Sequence, residues 1–180
     1  NQLLKENNSH EGILTSAGNL ADDEKIPAFV VGGYVRDIIL GKPSNDIDIM
    51  VEGDGIAFAK KLAKDLNVEV TVDYDKFGTA LIPHPEVGIE VATARKEDYD
   101  PGSRKPTIIS STVEEDMSRR DFTINAISAS ILPHNFGELY DPFGGLKDLQ
   151  KGLIITPLDP DETFSDDPLR MLRAVRFSAQ

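Results

Sequence analysis

One run of residues restricts the fold of this chain more than any other: an apolar segment, two glycines, a helical pattern and an alternating segment follow one another closely. Residues 28–31 are continuously apolar, Gly32 and Gly33 come next, and residues 34–40 have the spacing of a short helix. Residues 46–51 (DIDIMV) then alternate polar and apolar side chains, as a strand with one buried face does. This order of strand, glycine turn, helix and strand predicts a mixed α/β domain.

The rest of the chain adds further elements of both kinds. Residues 1–24 show no sustained periodicity, so they predict a tail or a poorly specified short helix. Apolar spacing and cap residues predict a helix at 55–66, strands at 68–72, 79–82, 87–93 and 153–156, a short helix at 146–150, and a final helix that begins at Asp167-Pro168.

One long segment between the predicted strands and the next helix has the composition of a loop. Residues 96–110 (KEDYDPGSRKPTIIS) contain two prolines, a glycine and many charged side chains, which predicts a mobile loop of a length that is often functional. A capping box is expected to open the helix that follows, formed either by Ser111 with Glu114 or by Thr112 with Glu115.

Composition excludes several classes of protein. The chain has 180 residues, no cysteine and a formal net charge of −12, which excludes disulfides, thiolate metal sites and cysteine nucleophiles. The acidity argues against nucleic-acid binding through bulk positive charge, so any polyanionic substrate must be held locally. No apolar run approaches the roughly 20 residues of a membrane span, and we expect a reducing, cytoplasmic location without membrane contact.

The arginines indicate where an anion could be held. Six of the eight lie in short clusters or motifs, namely Arg36, Arg119, Arg120, Arg170, Arg173 and Arg176, and only Arg95 and Arg104 lie outside them. The planar guanidinium suits phosphate and carboxylate oxygens, so this clustering predicts a small anionic site. Ion pairing on helix surfaces is the alternative for any single arginine.

Asp46 and Asp48 form the strongest local signal. Residues i and i+2 of a strand share a face, so both carboxylates project the same way. Such a pair can bind Mg²⁺, and two metal ions can clamp the attacking and leaving oxygens of a phosphoryl transfer. For an isolated Asp-x-Asp, an exposed strand edge that carries two acids is the more common explanation.

The glycine turn predicts a phosphate cradle. Gly32 and Gly33 join a strand to a helix, where backbone N–H groups can approach an anion, and Arg36 lies one turn further on. An ordinary strand-to-helix connection is the alternative. The spacing matches neither the dinucleotide fingerprint nor the P-loop, so those two nucleotide sites are not supported.

Five motifs in order carry a more specific signal. They are GGYVRD (32–37), NDIDIMVEG (45–53), SRRDFTINA (118–126), DPFGGLKDL (141–149) and DPLRMLRAVRF (167–177). Together they resemble the DNA polymerase β-like nucleotidyltransferase superfamily, in its class II branch of tRNA CCA-adding enzymes and bacterial poly(A) polymerases. The resemblance covers about residues 26–180. It implies an α/β head domain with a small, mainly antiparallel mixed sheet and flanking helices.

The resemblance also implies domain limits and site residues. It implies a tail at 1–24, a catalytic head at 25–157 and the start of a helical neck at 158–180 of a longer protein. Asp46 and Asp48 would bind two Mg²⁺ ions, for which Mn²⁺ can substitute, and Glu90 would be a third acid unless it is simply exposed on its strand. The residues implied to bind the nucleotide are Gly32, Gly33, Arg36, Arg120, Asp121, Asn125, Arg170 and Arg173.

The implied activity is template-independent addition of CCA to the 3′ end of tRNA from CTP and ATP, with release of pyrophosphate. The loop at 96–110 matches the position of a flexible element of the family, which favours complete CCA addition over CC addition alone. A bacterial poly(A) polymerase, an enzyme that adds only CC or only A, and a nucleotide-binding module without catalysis are the alternatives. The oligomeric state stays open.

Overall fold

The computed structural model describes residue 4 and residues 10–68, 71–74, 78–98 and 107–179; for 96–98 and 107–110 only the backbone is described. The α-helices of this part are α1 (Glu11–Glu24), α2 (Gly33–Ile39), α3 (Gly55–Asp65), α4 (Val113–Ser118), α5 (Gly145–Lys151), α6 (Pro160–Asp166) and α7 (Leu169–Ser178). The strands are β1 (Ala28–Val31), β2 (Asp46–Val51), β3 (Val72–Tyr74), β4 (Thr79–Pro83), β5 (Gly88–Thr93), β6 (Arg95–Asp98), β7 (Thr107–Ser110), β8 (Ser128–Ser130) and β9 (Leu139–Tyr140).

Seven strands form one mixed sheet in the order β3-β4-β5-β2-β1-β8-β9. The pair β2 and β5 is parallel, and the other neighbouring pairs of this sheet are antiparallel. The α/β class with a mainly antiparallel sheet and flanking helices is therefore confirmed. The parallel pair at the centre of the sheet sets the residues at the start of β2 beside those at the start of β5.

The main core lies between one face of this sheet and helices α1 and α3. Ile47 and Ile49 of β2 and Ile89 of β5 are fully or almost fully buried there, together with Phe58 and Leu62 of α3. Side chains alternate between the faces of a strand, so burial of the odd-numbered residues of β2 turns its even-numbered residues to the other face. The core thus determines which side of the sheet carries the acidic pair.

The sequence left a tail or a poorly specified short helix open for residues 1–24, and over most of this segment the structure has a helix, α1. Its 14 residues cover Glu11–Glu24, and Ile13, Leu14, Ala17 and Ala21 are buried in the main core. Small residues make up much of this buried face, so its hydrophobic periodicity is weak in the sequence. Tertiary packing, more than an apolar pattern, stabilises this helix.

Three other local predictions differ from the structure. The prediction of a loop at 96–110 is wrong at both ends of the segment, because β6 and β7 pair there as antiparallel strands. Residues 99–106 lie outside the described part. Residues 153–156 form no strand, and the carbonyl of Ile155 instead accepts a bond from the Thr123 amide at 2.7 Å. The strand predicted at 68–72 is found at Val72–Tyr74, with 69–70 outside the described residues.

Of the two possible capping boxes at the start of α4, the structure has the one formed by Thr112 and Glu115. The Thr112 hydroxyl accepts from the Glu115 amide at 3.3 Å, and the Glu115 carboxylate accepts from the Thr112 amide at 3.3 Å. In the described part of the chain, no helix is both long and apolar enough to cross a membrane.

A buried histidine predicts a pH dependence of stability. His10 lies against Tyr34 with ring centroids 5.9 Å apart, and burial lowers its pKa, with Glu86 acting in the opposite direction. A lowered pKa means that the unfolded chain binds the proton more readily, so His10 destabilises the fold as the pH falls below about 6.5. We expect the free energy of unfolding of His10→Phe to fall less than that of the wild type when the pH is lowered from 7.5 to 5.5. Urea unfolding at both pH values measures it, and equal losses would contradict the assignment.

Candidate active site

The sheet face opposite the main core forms the floor of a cleft of about 690 Å³. Asp48 and Met50 of β2 and Glu90 and Ala92 of β5 line this floor. The walls come from α2, from residues 116–125 and from α7. The cleft therefore collects residues from four of the five motifs on which the family resemblance rests.

The acids of the cleft follow from the register of the two parallel strands. Asp46 pairs with Gly88 and Asp48 with Glu90. Asp46 is exposed at the start of β2, and a Cβ atom at Gly88 would lie 2.8 Å from its Oδ1, so the glycine leaves room for this carboxylate. Burial and the neighbouring charge of Glu90 raise the pKa of Asp48 to about 6, with Arg120 acting in the opposite direction and Asp46 adding to the rise.

This raised pKa predicts that the acidic floor lowers the stability of the protein. Between the unfolded pKa of 3.8 and the folded pKa of about 6, the folded state binds more protons, so stability falls as the pH rises through this window. Asp48→Asn removes the buried charge and should raise the free energy of unfolding by about 1–2 kcal/mol at pH 7.5 without divalent cations. The gain should be smaller at pH 5. Urea unfolding in EDTA at both pH values tests this, and a gain independent of pH would refute it.

A chain of hydrogen bonds connects α2, the 3₁₀ turn Thr123–Asn125 and α7. Arg36 donates to the side-chain oxygen of Asn125 and, from Nε, to Asp37 at 2.9 Å. The side-chain amide of Asn125 donates from Nδ2 to Oδ1 of Asp121 at 3.0 Å. Arg173 donates from Nε to Oδ2 of the same carboxylate at 2.6 Å. Asp121 is only 6% exposed. Its carboxylate orients the side chain of Asn125 and the guanidinium of Arg173.

Arg120 lies over Gly32. Its Nη2 donates to Asp116 at 3.4 Å and its Nη1 to the Asn125 carbonyl at 3.5 Å. A Cβ atom at Gly32 would lie 2.6 Å from Arg120 Nη1, and the φ angle of Gly32 is +66°. Among the described residues, the buried Nε of Arg120 has no hydrogen-bond partner. Gly32 is thus required for the approach of Arg120, whereas Gly33 itself lines the cleft.

Arginines dominate the charge of the walls. Seven of the eight arginines of the sequence line this cleft: Arg36, Arg95, Arg119, Arg120, Arg170, Arg173 and Arg176. No lysine lines it within the described part of the chain. A planar guanidinium binds phosphate oxygens in pairs, so a wall of arginines is suited to a polyphosphate. The sequence placed Arg95 outside the arginine clusters, and only the end of β5 and the start of β6 bring it here.

The predicted site residues are brought together to different degrees. Nine of them line the cleft, namely Gly33, Arg36, Asp48, Glu90, Arg120, Asp121, Asn125, Arg170 and Arg173, whereas Gly32 and Asp46 lie beside it. Arg170 uses Nη1 and Nη2 to bind the carbonyls of Thr163 and Arg119, at 3.0 and 2.7 Å. The structure thus shows Arg170 joining α7 to neighbouring backbone, and its contact with a nucleotide stays a prediction.

The DPFGGLKDL segment supports the cleft from behind. Asp141 accepts from the amides of Gly145 and Leu146 at 2.7 and 2.9 Å and so caps α5. Asp148 accepts from the Thr123 hydroxyl at 2.7 Å, and a Cβ atom at Gly145 would lie 2.0 Å from the Thr123 carbonyl oxygen. Helix α5 therefore packs directly on the 3₁₀ turn that carries the asparagine of the cleft.

Comparison with known proteins agrees with this geometry. The sequence profile described as "Poly A polymerase head domain" matches residues 28–155, which include the whole floor of the cleft. The chain belongs to this family. The resemblance inferred from the five motifs is confirmed.

Two similar proteins are named as nucleotide-adding enzymes. An A-adding tRNA nucleotidyltransferase of Aquifex aeolicus is 44% identical over 153 residues, which are 85% of this chain and 18% of that protein. A CCA-adding enzyme of Leuconostoc mesenteroides is 38% identical over 161 residues, which are 88% of this chain and 38% of that protein. The chain therefore spans well under half of the length of either relative.

Two solved structures have the same architecture. The structure titled "The structure of CCA-adding enzyme apo form II" has a TM-score of 0.88 and 40% identity, over 99% of this chain and 42% of that chain. A tRNA nucleotidyltransferase complexed with a primer tRNA and an incoming ATP analogue has a TM-score of 0.78 and 40% identity, over 90% of this chain and 44% of that chain.

Proposed function

We propose that the chain contains the catalytic head of a tRNA nucleotidyltransferase. The observation that carries this proposal is the cleft itself, in which two carboxylates of the floor, Asp48 and Glu90, face a wall that contains seven arginines. In the proposed reaction the 3′-hydroxyl oxygen of tRNA bonds to the α-phosphorus of a nucleoside triphosphate. The bond to the β-phosphate breaks, pyrophosphate leaves, and the hydroxyl proton passes to solvent.

The acidic floor fits a divalent cation. Mg²⁺ prefers carboxylate oxygens, and a cation would offset both the burial and the charge of Glu90 that raise the pKa of Asp48. Among the described residues, no three His, Cys, Asp or Glu side chains already form a metal-binding group, so the fit rests on Asp46 and Asp48. Glu90 contributes through its charge, and its role as a third ligand stays a proposal. When bound, Mg²⁺ or Mn²⁺ would supply Lewis acidity and neutralise phosphate charge.

The arginine wall would hold the triphosphate. Arg36 and Arg173 are both fixed by hydrogen bonds. Both arginines line the same cleft as the acidic residues of the floor. Guanidinium groups fixed in this way lose little further entropy when an anion binds. Asp121 and Asn125 orient these arginines, and they are the candidates for contact with the nucleotide itself.

Two candidate activities differ in the nucleotides that are added: complete CCA addition and addition of A alone. The motifs imply complete CCA addition, whereas the relative with 44% identity is named for the addition of A alone and the CCA-adding relative is 38% identical. Addition of the terminal A is therefore the second candidate.

The division of the chain into a head at 25–157 and the start of a neck at 158–180 is also a proposal. Helix α7 supports it with large apolar side chains that are 52–68% exposed, namely Leu169, Met171, Leu172 and Val175. Side chains of this kind are normally covered in a complete domain.

The test is nucleotide incorporation by the full-length protein with Mg²⁺. Labelled ATP and CTP are supplied separately and together to a tRNA without its CCA end, to a tRNA that ends in CC, and to an unstructured oligoribonucleotide. Ordered C, C and A addition to the first tRNA, A addition to the second and no addition to the oligoribonucleotide support the CCA-adding enzyme. Addition of A confined to the second supports the A-adding enzyme. Extension of all three RNAs by ATP indicates a poly(A) polymerase, and no incorporation by the folded protein refutes the proposal.

A further inference from the structure

One aromatic ring lies at the centre of the arginine wall. The ring centroid of Phe177 is 5.0 Å from the guanidinium carbon of Arg36, 5.4 Å from that of Arg173 and 4.7 Å from that of Arg176. These distances are within the range of cation–π attraction, which extends to about 6 Å. Arg36 belongs to α2 and the other two arginines to α7, so the ring joins the two sides of the wall.

The position of this ring is itself fixed. Phe122 lies edge-on to it, with ring centroids 5.9 Å apart and an interplanar angle of 83°. Phe122 is only 1% exposed and follows Asp121 directly in the sequence, so the contact ties Phe177 to the same turn that orients Arg173. Edge-to-face pairs of this kind add stability beyond the area they bury.

The three guanidinium groups around the ring repel one another because they carry like charges. Attractive contacts with other groups must therefore hold them in place. Hydrogen bonds to Asn125 and Asp121 hold Arg36 and Arg173, respectively. Among the described residues, the Arg176 guanidinium makes neither a hydrogen bond nor an ion pair, and it lies 4.7 Å from the centroid of the Phe177 ring. A carboxylate in place of the ring would also attract the three cations, but it would cancel charge that an anion needs. A ring attracts cations through its quadrupole and adds no further negative charge to the carboxylates of Asp37 and Asp121, which already pair with Arg36 and Arg173.

We propose that Phe177 is a positioning residue that gathers Arg36, Arg173 and Arg176 into one binding group for the β- and γ-phosphates of the nucleotide. This inference rests on the proposed function only for the identity of the anion. The ring acts on the affinity for the phosphate chain and not on the reacting atoms, so its loss changes binding more than turnover.

The test uses the full-length protein, with Phe177→Leu and Phe177→Tyr as variants. Phe164→Leu is the matched control, because Phe164 is also half-buried beside α7 but lines a different cavity with Phe122 and Val175. The first readout is the Kd of pyrophosphate in EDTA by calorimetry, which reports on the cations alone. The second is the KM and kcat of nucleotide incorporation with Mg²⁺.

Phe177→Leu is expected to raise the Kd of pyrophosphate and the KM of the nucleotide about tenfold, with kcat changed less than about threefold. Phe177→Tyr keeps the ring and should stay within about twofold of the wild type, as should Phe164→Leu. Unchanged pyrophosphate binding by Phe177→Leu overturns the inference, as does an equal effect of both leucine variants. A wild type that binds pyrophosphate but incorporates no nucleotide refutes the proposed function and leaves the calorimetric test of Phe177 valid.

Discussion

Asp48→Asn is expected to lower nucleotidyl transfer by about 10³-fold or more, a change of about 4 kcal/mol in the barrier, without loss of the fold. The reason is that Asp48 lies on the cleft floor beside Glu90, where a negative charge can hold a divalent cation at the phosphates. Asparagine keeps the shape of the side chain and removes that charge. Single-turnover incorporation of labelled nucleotide into tRNA measures the effect.

The same substitution at an exposed acid provides the control. Asp65 ends α3, which packs on the opposite face of the sheet, and it is exposed. Asp65→Asn should therefore retain nearly full activity. A folded Asp48→Asn protein that incorporates nucleotide at the wild-type rate would remove the acidic floor from the mechanism. The stability gain expected for Asp48→Asn also separates loss of function from loss of fold.

Gly18→Ala is expected to destabilise the protein by about 3 kcal/mol. The Cβ atom of an alanine would lie 1.9 Å from the carbonyl oxygen of Ile131 and 2.9 Å from its carbon. Both are backbone atoms, and the Ile131 amide is bonded to the Ala28 carbonyl at 3.2 Å, so neither can yield easily. Helix α1 must then move away from the sheet and lose part of its buried face.

Gly12 in the same helix gives a control of opposite sign. A Cβ atom there would meet nothing within 4 Å, so Gly12→Ala should add about 0.5–1 kcal/mol through helix propensity and a less flexible unfolded chain. Urea unfolding of both variants at pH 7.5 compares them directly. Similar stability of the two variants would show that α1 does not pack on the sheet as closely as described.

Much of the fold could be predicted because its signals are local. The alternation in β2, the glycine turn after β1 and the apolar spacing of α3 each involve only a few neighbouring residues, and the structure contains all three elements. The predictions that failed concern segments without such a signal. Helix α1 buries small residues, and the β6–β7 pair has the polar composition of a loop.

The candidate site was predicted in part for the same reason. The shared face of Asp46 and Asp48 follows from strand periodicity, and the resemblance to a known family supplied the order of the motifs. Neither could predict that Arg95 would join the wall, that Gly32 would make room for Arg120, or that Arg170 would bind backbone carbonyls. These are contacts between segments that no local pattern connects.

The sequence by itself determined the elements that have a local signal, the shared face of the acidic pair and the family, because each depends on spacing along a short stretch or on motifs in order. The tertiary structure alone decided which polar and charged side chains from distant parts of the sequence bind one another. Arg36 binds Asn125 across a separation of 89 residues, and Arg173 binds Asp121 across 52. Such pairs form only after the core has oriented β2 and packed α7 beside α2, since burial of the apolar face determines where the polar face can lie.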